Sequence, residues 1–231
     1  MAYSRTRCYP WPVAINTYNE SPLHAALKRW YASDRARFEV PVHGFVVDIV
    51  EEGMLVEIQT QNFGSMREKL ATLLASHPLR LVYPVPRETW IVKRDGEREI
   101  SRRKSPKRGT LEQVFGELVY IPQLLNHANF TLDVLDTQME EVRLVTRRRR
   151  KGWERVERRL LGVNGRRLFR GAVDLAALLP ASLGPQFTTG DLAKARGVRV
   201  AVAQKMAYCY KAMEVIRPVG HRRRSVLYER A

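Results

Sequence analysis

The chain has 231 residues, with 40 Lys and Arg against 24 Asp and Glu, a formal charge of +16 and a pI near 10.3. Hydrophobic residues make up 45%, enough for a folded core and too many for a wholly disordered basic tail. The charge points to a polyanionic partner, nucleic acid first, and no stretch approaches the roughly 20 apolar residues of a membrane span.

Near the N-terminus, Arg5 and Arg7 precede Tyr9-Pro10-Trp11-Pro12 rather than an apolar run, so a secretory signal is not expected. Cys8 and Cys209 stand at opposite ends of the chain. That spacing argues against a disulfide framework or a cysteine-rich zinc site and makes the cytoplasm the expected setting. Cys209 falls in an apolar helical run and reads as a buried free thiol.

Asn19 or Ser21 caps a first helix with Pro22 in its first turn. Leu23, Ala26, Leu27, Trp30 and Tyr31 then recur at helical spacing. His24 reads as a partly exposed residue of that helix. Residues 44–50 and 54–59 are two β-branched runs separated by Glu51-Glu52-Gly53, which predicts a hairpin. Residues 65–77 return to helical periodicity and His77-Pro78 ends it. Strands follow at 79–84 and 89–93. Residues 98–109 hold Arg98, Arg102, Arg103, Lys104, Lys107 and Arg108 and read as an exposed basic loop. Thr110 then introduces a short helix, and 130–135 and 141–145 are two further strand-like pieces. A second basic run covers 147–151.

A boundary is expected near 165–171, giving a domain over 1–165 and a smaller one over 170–231. The second part reads as three helices and a β-wing. Helix 190–195 stops at Gly197, helix 200–215 follows, and Arg222-Arg223-Arg224 precedes a strand at 226–228. This resembles a winged helix-turn-helix, in which Arg199, Gln204, Lys205 and the arginine tip would face DNA. The segment from residue 170 carries eleven Lys and Arg against four Asp and Glu, so it is expected to fold alone and bind duplex DNA.

Polar groups embedded in the apolar strands carry the chemistry. Asp48 interrupts Phe45-Val46-Val47 and Ile49-Val50, while Glu57 and Gln59 alternate with Val56 and Ile58. Residues i and i+2 share a strand face, so Glu57 and Gln59 point the same way and the hairpin brings Asp48 beside them. Converging carboxylates form a hard-oxygen site suited to Mg2+ or Mn2+. The order helix Glu20, strand Asp48, turn, strand Glu57-Ile58-Gln59, helix resembles the PD-(D/E)XK nuclease superfamily, which includes restriction enzymes and Holliday-junction resolvases. The resemblance implies an α/β, restriction-endonuclease-like mixed sheet flanked by helices. It also implies that Asp48 and Glu57 hold the metal with the Ile58 carbonyl, that Glu20 assists, and that DNA is hydrolysed by metal-activated water. Gln59 stands where the family more often has lysine; it can orient water but carries no charge.

The basic residues Arg102, Arg103, Lys104, Lys107 and Arg108 are expected to contact the nucleic-acid backbone, with RNA left open as a substrate. A homodimer would let each chain cut one strand. A DNA-binding regulator or repair accessory with a degenerate nuclease fold is the competing expectation.

Overall fold

The computed structural model describes residues 20–147, 149–150 and 152–231. The expectations on Cys8, the N-terminal arginines and the Asn19 cap lie outside them.

The protein is mixed α/β: a seven-stranded mixed sheet with helices on both faces, followed by a smaller helical unit with a three-stranded sheet. Helix α1 (Pro22–Tyr31) starts on Ser21, whose hydroxyl accepts from the His24 amide at 3.3 Å. Strand β1 (Arg37–Val42) leads to β2 (Phe45–Glu51) and β3 (Met54–Ile58), then α2 (Arg67–Leu74) and the long β4 (Leu79–Asp95). Strand β5 (Arg98–Lys104) folds back on β4. A short α3 (Phe115–Leu118), flanked by 3-10 turns, leads to β6 (Phe130–Val145) and β7 (Trp153–Phe169). The sheet order is β1-β2-β3-β4-β6-β7, with β5 also on β4. The β3–β4 and β4–β6 pairings are parallel and the others antiparallel.

Two apolar layers hold the sheet. Leu23 and Leu27 of α1 pack with Ile49, Val56, Ile58 and Val82 on one face. On the other, Leu70, Leu73 and Leu74 of α2 join Phe63, Leu81, Phe115 and Leu118. Tyr31 ties the end of α1 to the sheet by donating to the buried Asp133 at 2.6 Å, and Arg166 reaches the same carboxylate.

Several expectations change here. The basic segment 98–109 is not a loop throughout, because Arg98–Lys104 is a strand. Residues 79–95 are one strand rather than two: Pro84 and Pro86 sit inside β4, where an extra residue at Arg87 bulges against β6 and absorbs the missing donors. The pieces at 130–135 and 141–145 are likewise one strand. Strands β1 and β7 had no clear signal, since both are edge strands rich in charge.

Beyond Phe169 come α4 (Ala172–Ala176), β8 (Gln186–Phe187), α5 (Thr189–Arg196), α6 (Val200–Ala212), β9 (Ile216–Arg222) and β10 (Ser225–Arg230). Thr188 and Asp191 form a capping box on α5, and Gly197 ends it with φ 64°. Strands β9 and β10 form a hairpin whose turn carries Arg223 at φ 57°. The core of this unit is continuous with that of the sheet. Phe187, Leu192, Met206, Tyr210 and Ile216 belong to the same buried cluster as Phe115, Leu118 and Leu125. The Tyr210 ring lies 5.4 Å from Phe115, and Arg196 ion-pairs with Glu112.

Candidate functional site

Strand pairing fails at one place, and the acidic residues collect there. The β2–β3 ladder runs from Glu51↔Met54 to Ile49↔Val56 and stops. Beyond it the strands part, and Asp48 Oδ2 fills the gap by accepting the Ile58 backbone N–H at 2.8 Å. On the other side of β2, Glu39 has φ 52° and reaches toward α1. The open end of the hairpin is therefore a wedge, with α1 over one face and α2 over the other.

Side chains from α1, β1, β2, β3 and α2 meet at the wedge. His24 Nε2 lies 3.1 Å from Asp48 Oδ2 and 2.9 Å from the Ile58 carbonyl oxygen. Its Nδ1 lies 2.5 Å from Glu20 Oε1. Lys28, almost fully buried, bridges Glu20 and Glu39 at 3.0 Å each. On the α2 side, Lys69 Nζ lies 2.6 Å from Glu57 Oε1 and donates to the Val46 carbonyl at 2.6 Å.

The electrostatics divide the two strand carboxylates. Burial and then the neighbouring charge of Asp48 push Glu57 up to about 7, against the pull of Lys69. Asp48 is buried too, but the hydrogen bond and charge of His24, helped by the Ile58 amide, hold it below the ordinary carboxylate value. Burial opposes charge on His24, yet Asp48 and then Glu20 outweigh it and push the imidazole up to about 9. Glu20 is half-buried, and against that partial burial His24 and Lys28 draw it below its usual value.

The structure links Glu20 and Asp48 through His24, while Glu57 lies near enough to feel the charge of Asp48 and pairs with Lys69 on the α2 side. Gln59 is not brought into the cluster. It follows the last residue of β3, where its backbone N–H continues the sheet to the Val82 carbonyl, and its carboxamide donates to Asn62 O at 3.4 Å in the next loop. The cation beside Glu57 comes instead from Lys69, twelve residues later, Lys28 supplies a second one beside Glu20, and a ring nitrogen comes from His24, expected to be a partly exposed helix residue. Spacing held a signal for both: His24 lies four residues after Glu20, which stands just before the cap of α1, and Lys69 precedes the buried Leu70 on the helix behind β3.

With this geometry in place, the matched regions can be located on it. Residues 21–170 match the family described as Domain of unknown function (DUF8091). The chain belongs to this family. The matched span runs from the first residue before α1 to just past β7, so it contains His24, Asp48, Glu57 and Lys69, while Glu20 lies one residue outside it. A protein of Treponema pallidum (strain Nichols), described as an uncharacterized protein, is 35% identical over 188 residues, covering 79% of this chain and 74% of its own length. No solved structure matches the chain at a significant level.

The residues expected to touch nucleic acid fall into two groups. Arg102 pairs with Glu140 at 3.2 Å and stacks over Trp90, and Lys104 pairs with Glu88 at 2.8 Å. Arg222 is held by Asp191 at 3.0 Å. Arg103, Lys107, Arg108, Arg223 and Arg224 are equally exposed but join no ion pair among the described residues. Arg199, Gln204 and Lys205 are exposed on or beside α6 together with Tyr208, and Met206 and Cys209 face inward as the periodicity required. The Lys205 ammonium reaches over α3 beside Gly116. Among the described residues, no helix is long and apolar enough to cross a membrane.

Proposed function

We propose that the protein is a metal-dependent nuclease that hydrolyses phosphodiester bonds in DNA, with Mg2+ or Mn2+ held in the wedge between β2 and β3. The observation that carries this reading is the convergence of Asp48, the Ile58 carbonyl and His24 at ligand-like spacing, with Glu57 and Lys69 beside them. His24 Nε2 is 3.1 and 2.9 Å from the two oxygens, so these three donors face one another and would share an ion in place of the ring proton. The Glu20 carboxylate on the other ring nitrogen is the usual orienting partner of a metal-bound imidazole. Among the described residues no three His, Cys, Asp or Glu side chains form a ready cage. Glu57 is drawn to Lys69, and a backbone oxygen supplies one of the donors.

When bound, the ion supplies a water of lowered pKa and stabilises charge on the phosphate. The chain's own residues do the rest. Asp48, the Ile58 carbonyl and His24 would hold the ion once the ring gives up the proton that Nε2 shares with Asp48 and Ile58, and Glu20 on Nδ1 would keep Nε2 as the ligating nitrogen. Glu57, desolvated and near neutrality in pKa, would complete the ligand set on losing its proton to solvent. Lys69 then places a positive charge where negative charge grows on the phosphate, a task the uncharged Gln59 cannot perform.

The C-terminal unit supports the DNA half of the proposal. A capped short helix, a glycine turn, a second helix with an exposed polar face and a β-hairpin with an arginine tip match the layout of a winged helix. We take α6 as its reading helix. The competing reading, a DNA-binding accessory without cleavage, shares every feature except turnover. Cleavage of duplex, branched and single-stranded DNA and of RNA, with Mg2+, Mn2+ or EDTA, separates them. Absence of all cleavage in the parent, beside intact DNA binding, would favour the accessory.

A further inference from the structure

Past the wedge, the sheet continues without β3. Strand β3 pairs with β4 only as far as Ile58↔Val82, whereas β4 and β6 stay paired to Arg94↔Leu144. At about 3.3 Å per residue, residues 83–94 project roughly 40 Å beyond that point. With β5 and β7 they make a four-stranded arm, which unites two basic runs lying some 40 residues apart in sequence. Residues 88–108 and 138–162 contain seventeen Lys and Arg against eight Asp and Glu. Much of that charge is internally matched: Glu88, Glu140, Glu141, Glu154 and Glu157 each pair with a cation of the arm. Among the described residues, the exposed side chains of Arg103, Lys107 and Arg108 join no ion pair, although Glu88, drawn below its usual value by Lys104 and Gln138, also feels the charge of Arg108.

Lys107 and Arg108 line a cavity of about 300 Å3 at the root of the arm together with Thr89, Ser105, Gln113, Arg143 and one carboxylate, Glu141, which is ion-paired with Arg143 and Arg155. The segment that bears them is fixed at both ends. Ser105 N–H donates to the Thr89 carbonyl at 2.7 Å, and Gly109 N–H donates to the Pro86 carbonyl at 2.8 Å. Arg87, the bulged residue, holds the Gly109 carbonyl at 3.0 Å. A Cβ on Gly109 would lie 2.7 Å from the Pro86 oxygen, so only glycine allows this close approach. Arg143 is set by its stack on Trp153 and by Glu141, whose charge is also met by Arg155. Two cations that join no ion pair among the described residues, hydroxyls and a fixed backbone thus converge on a cavity that the cleavage site does not use.

We propose that this cavity seats a backbone phosphate of a nucleic-acid duplex lying along the arm. The projecting length matches about one helical turn of duplex, roughly 34–36 Å, and cations facing phosphate give sequence-independent grip. The proposal rests on the nucleic-acid reading given above but not on cleavage. It makes the arm, rather than the arginine tip of the C-terminal hairpin alone, the main electrostatic contact.

The test is fluorescence anisotropy of a labelled duplex of about two helical turns across a salt series, using the full chain in EDTA so that no cleavage intervenes. Replacing Lys107 and Arg108 together by Ala should raise Kd about tenfold or more and flatten log K against log salt by about 1.8, roughly 0.9 for each phosphate no longer neutralised. Removing two charges elsewhere, at the exposed Arg29 and Arg35, should leave the slope as in the parent. Gly109→Ala should weaken binding at unchanged net charge, with melting curves reporting whether the fold persists. If the parent binds duplex but the Lys107/Arg108 variant keeps its affinity and slope, or the Arg29/Arg35 variant loses as much, the phosphate seat is overturned and the nuclease reading stands. If the parent binds no duplex at all, both fall together.

Discussion

Within the wedge, His24 and Glu57 titrate in a way that couples the site to stability. His24 has its pKa raised from 6.5 to about 9 in the folded protein. Its stabilising effect is therefore fully present below pH 6.5 and is lost as pH rises through 9. Glu57 is raised from 4.5 to about 7, so the folded state also holds a proton that the unfolded chain has released between those values. Both effects make the metal-free protein less stable as pH rises from about 4.5 to 9. Thermal melts in EDTA should show this decline, and Glu57→Gln should flatten its lower half. A melting temperature that rises across the window would contradict the wedge electrostatics. Metal binding requires both Glu57 and His24 deprotonated, so added Mn2+ should restore stability increasingly as pH rises from 7 towards 9.

The same residues give two sharper expectations. Glu20→Gln removes the carboxylate that orients His24, and loss of such a partner weakens metal binding roughly 10–100-fold. Calorimetric titration with Mn2+ reads this directly, and parental affinity would remove Glu20 from the site. Lys69→Ala should slow single-turnover cleavage by roughly 100-fold or more, while Gln59→Ala stays within a few-fold of the parent. The reverse ranking would return the catalytic role to Gln59. Asp48 and Glu57 were legible in sequence because a carboxylate inside an apolar strand is conspicuous. Lys69 and His24 were not, because a lone basic residue on a helix gives no sign of which way it faces.

At the level of elements, period-2 alternation revealed β2, β3 and parts of β4 and β6, and capping residues revealed α1 and α5. The arm was hidden for physical reasons. Its central strands β4 and β6 are half-buried over most of their length, with polar and charged residues between the few buried ones such as Ile91, Val92, Met139 and Val142, so apolar residues do not alternate, and the prolines of β4 read as breaks although the bulge at Arg87 accommodates them. Strand β7 carries Arg155, Arg158, Arg159, Arg166 and Arg167 and three register shifts against β6. Charge and bulges of this kind protect an exposed edge from pairing with other chains, and they also erase the strand pattern from the sequence.

For the whole molecule, the decisive feature is the single core shared by the sheet and the C-terminal unit. It modifies the expectation that residues 170–231 fold alone: without Phe115, Leu118 and Glu112, the fragment would expose Tyr210 and Met206 and leave Arg196 unpaired. The fragment should therefore show no cooperative melt. Tyr210 is fully buried and its hydroxyl has no hydrogen-bond partner among the described residues. Tyr210→Ala should cost about 3–5 kcal/mol of stability, whereas Tyr210→Phe, which removes an unsatisfied hydroxyl, should be neutral or stabilising. Urea denaturation of the full chain distinguishes them, and equal losses would mean that the ring does not join the two parts. Because the two parts are docked, α6 and the wedge keep a fixed separation, with only the one-turn α3 between Lys205 and the loop before α2. The most direct measurement is single-turnover cleavage of a DNA duplex by the parent and by Asp48→Asn, each with Mg2+, Mn2+ or EDTA. The parent should cut with either ion and not in EDTA, and Asp48→Asn should bind the duplex but cut below detection. Parental cleavage by Asp48→Asn, or cleavage that survives EDTA, would contradict a metal-dependent site at the wedge.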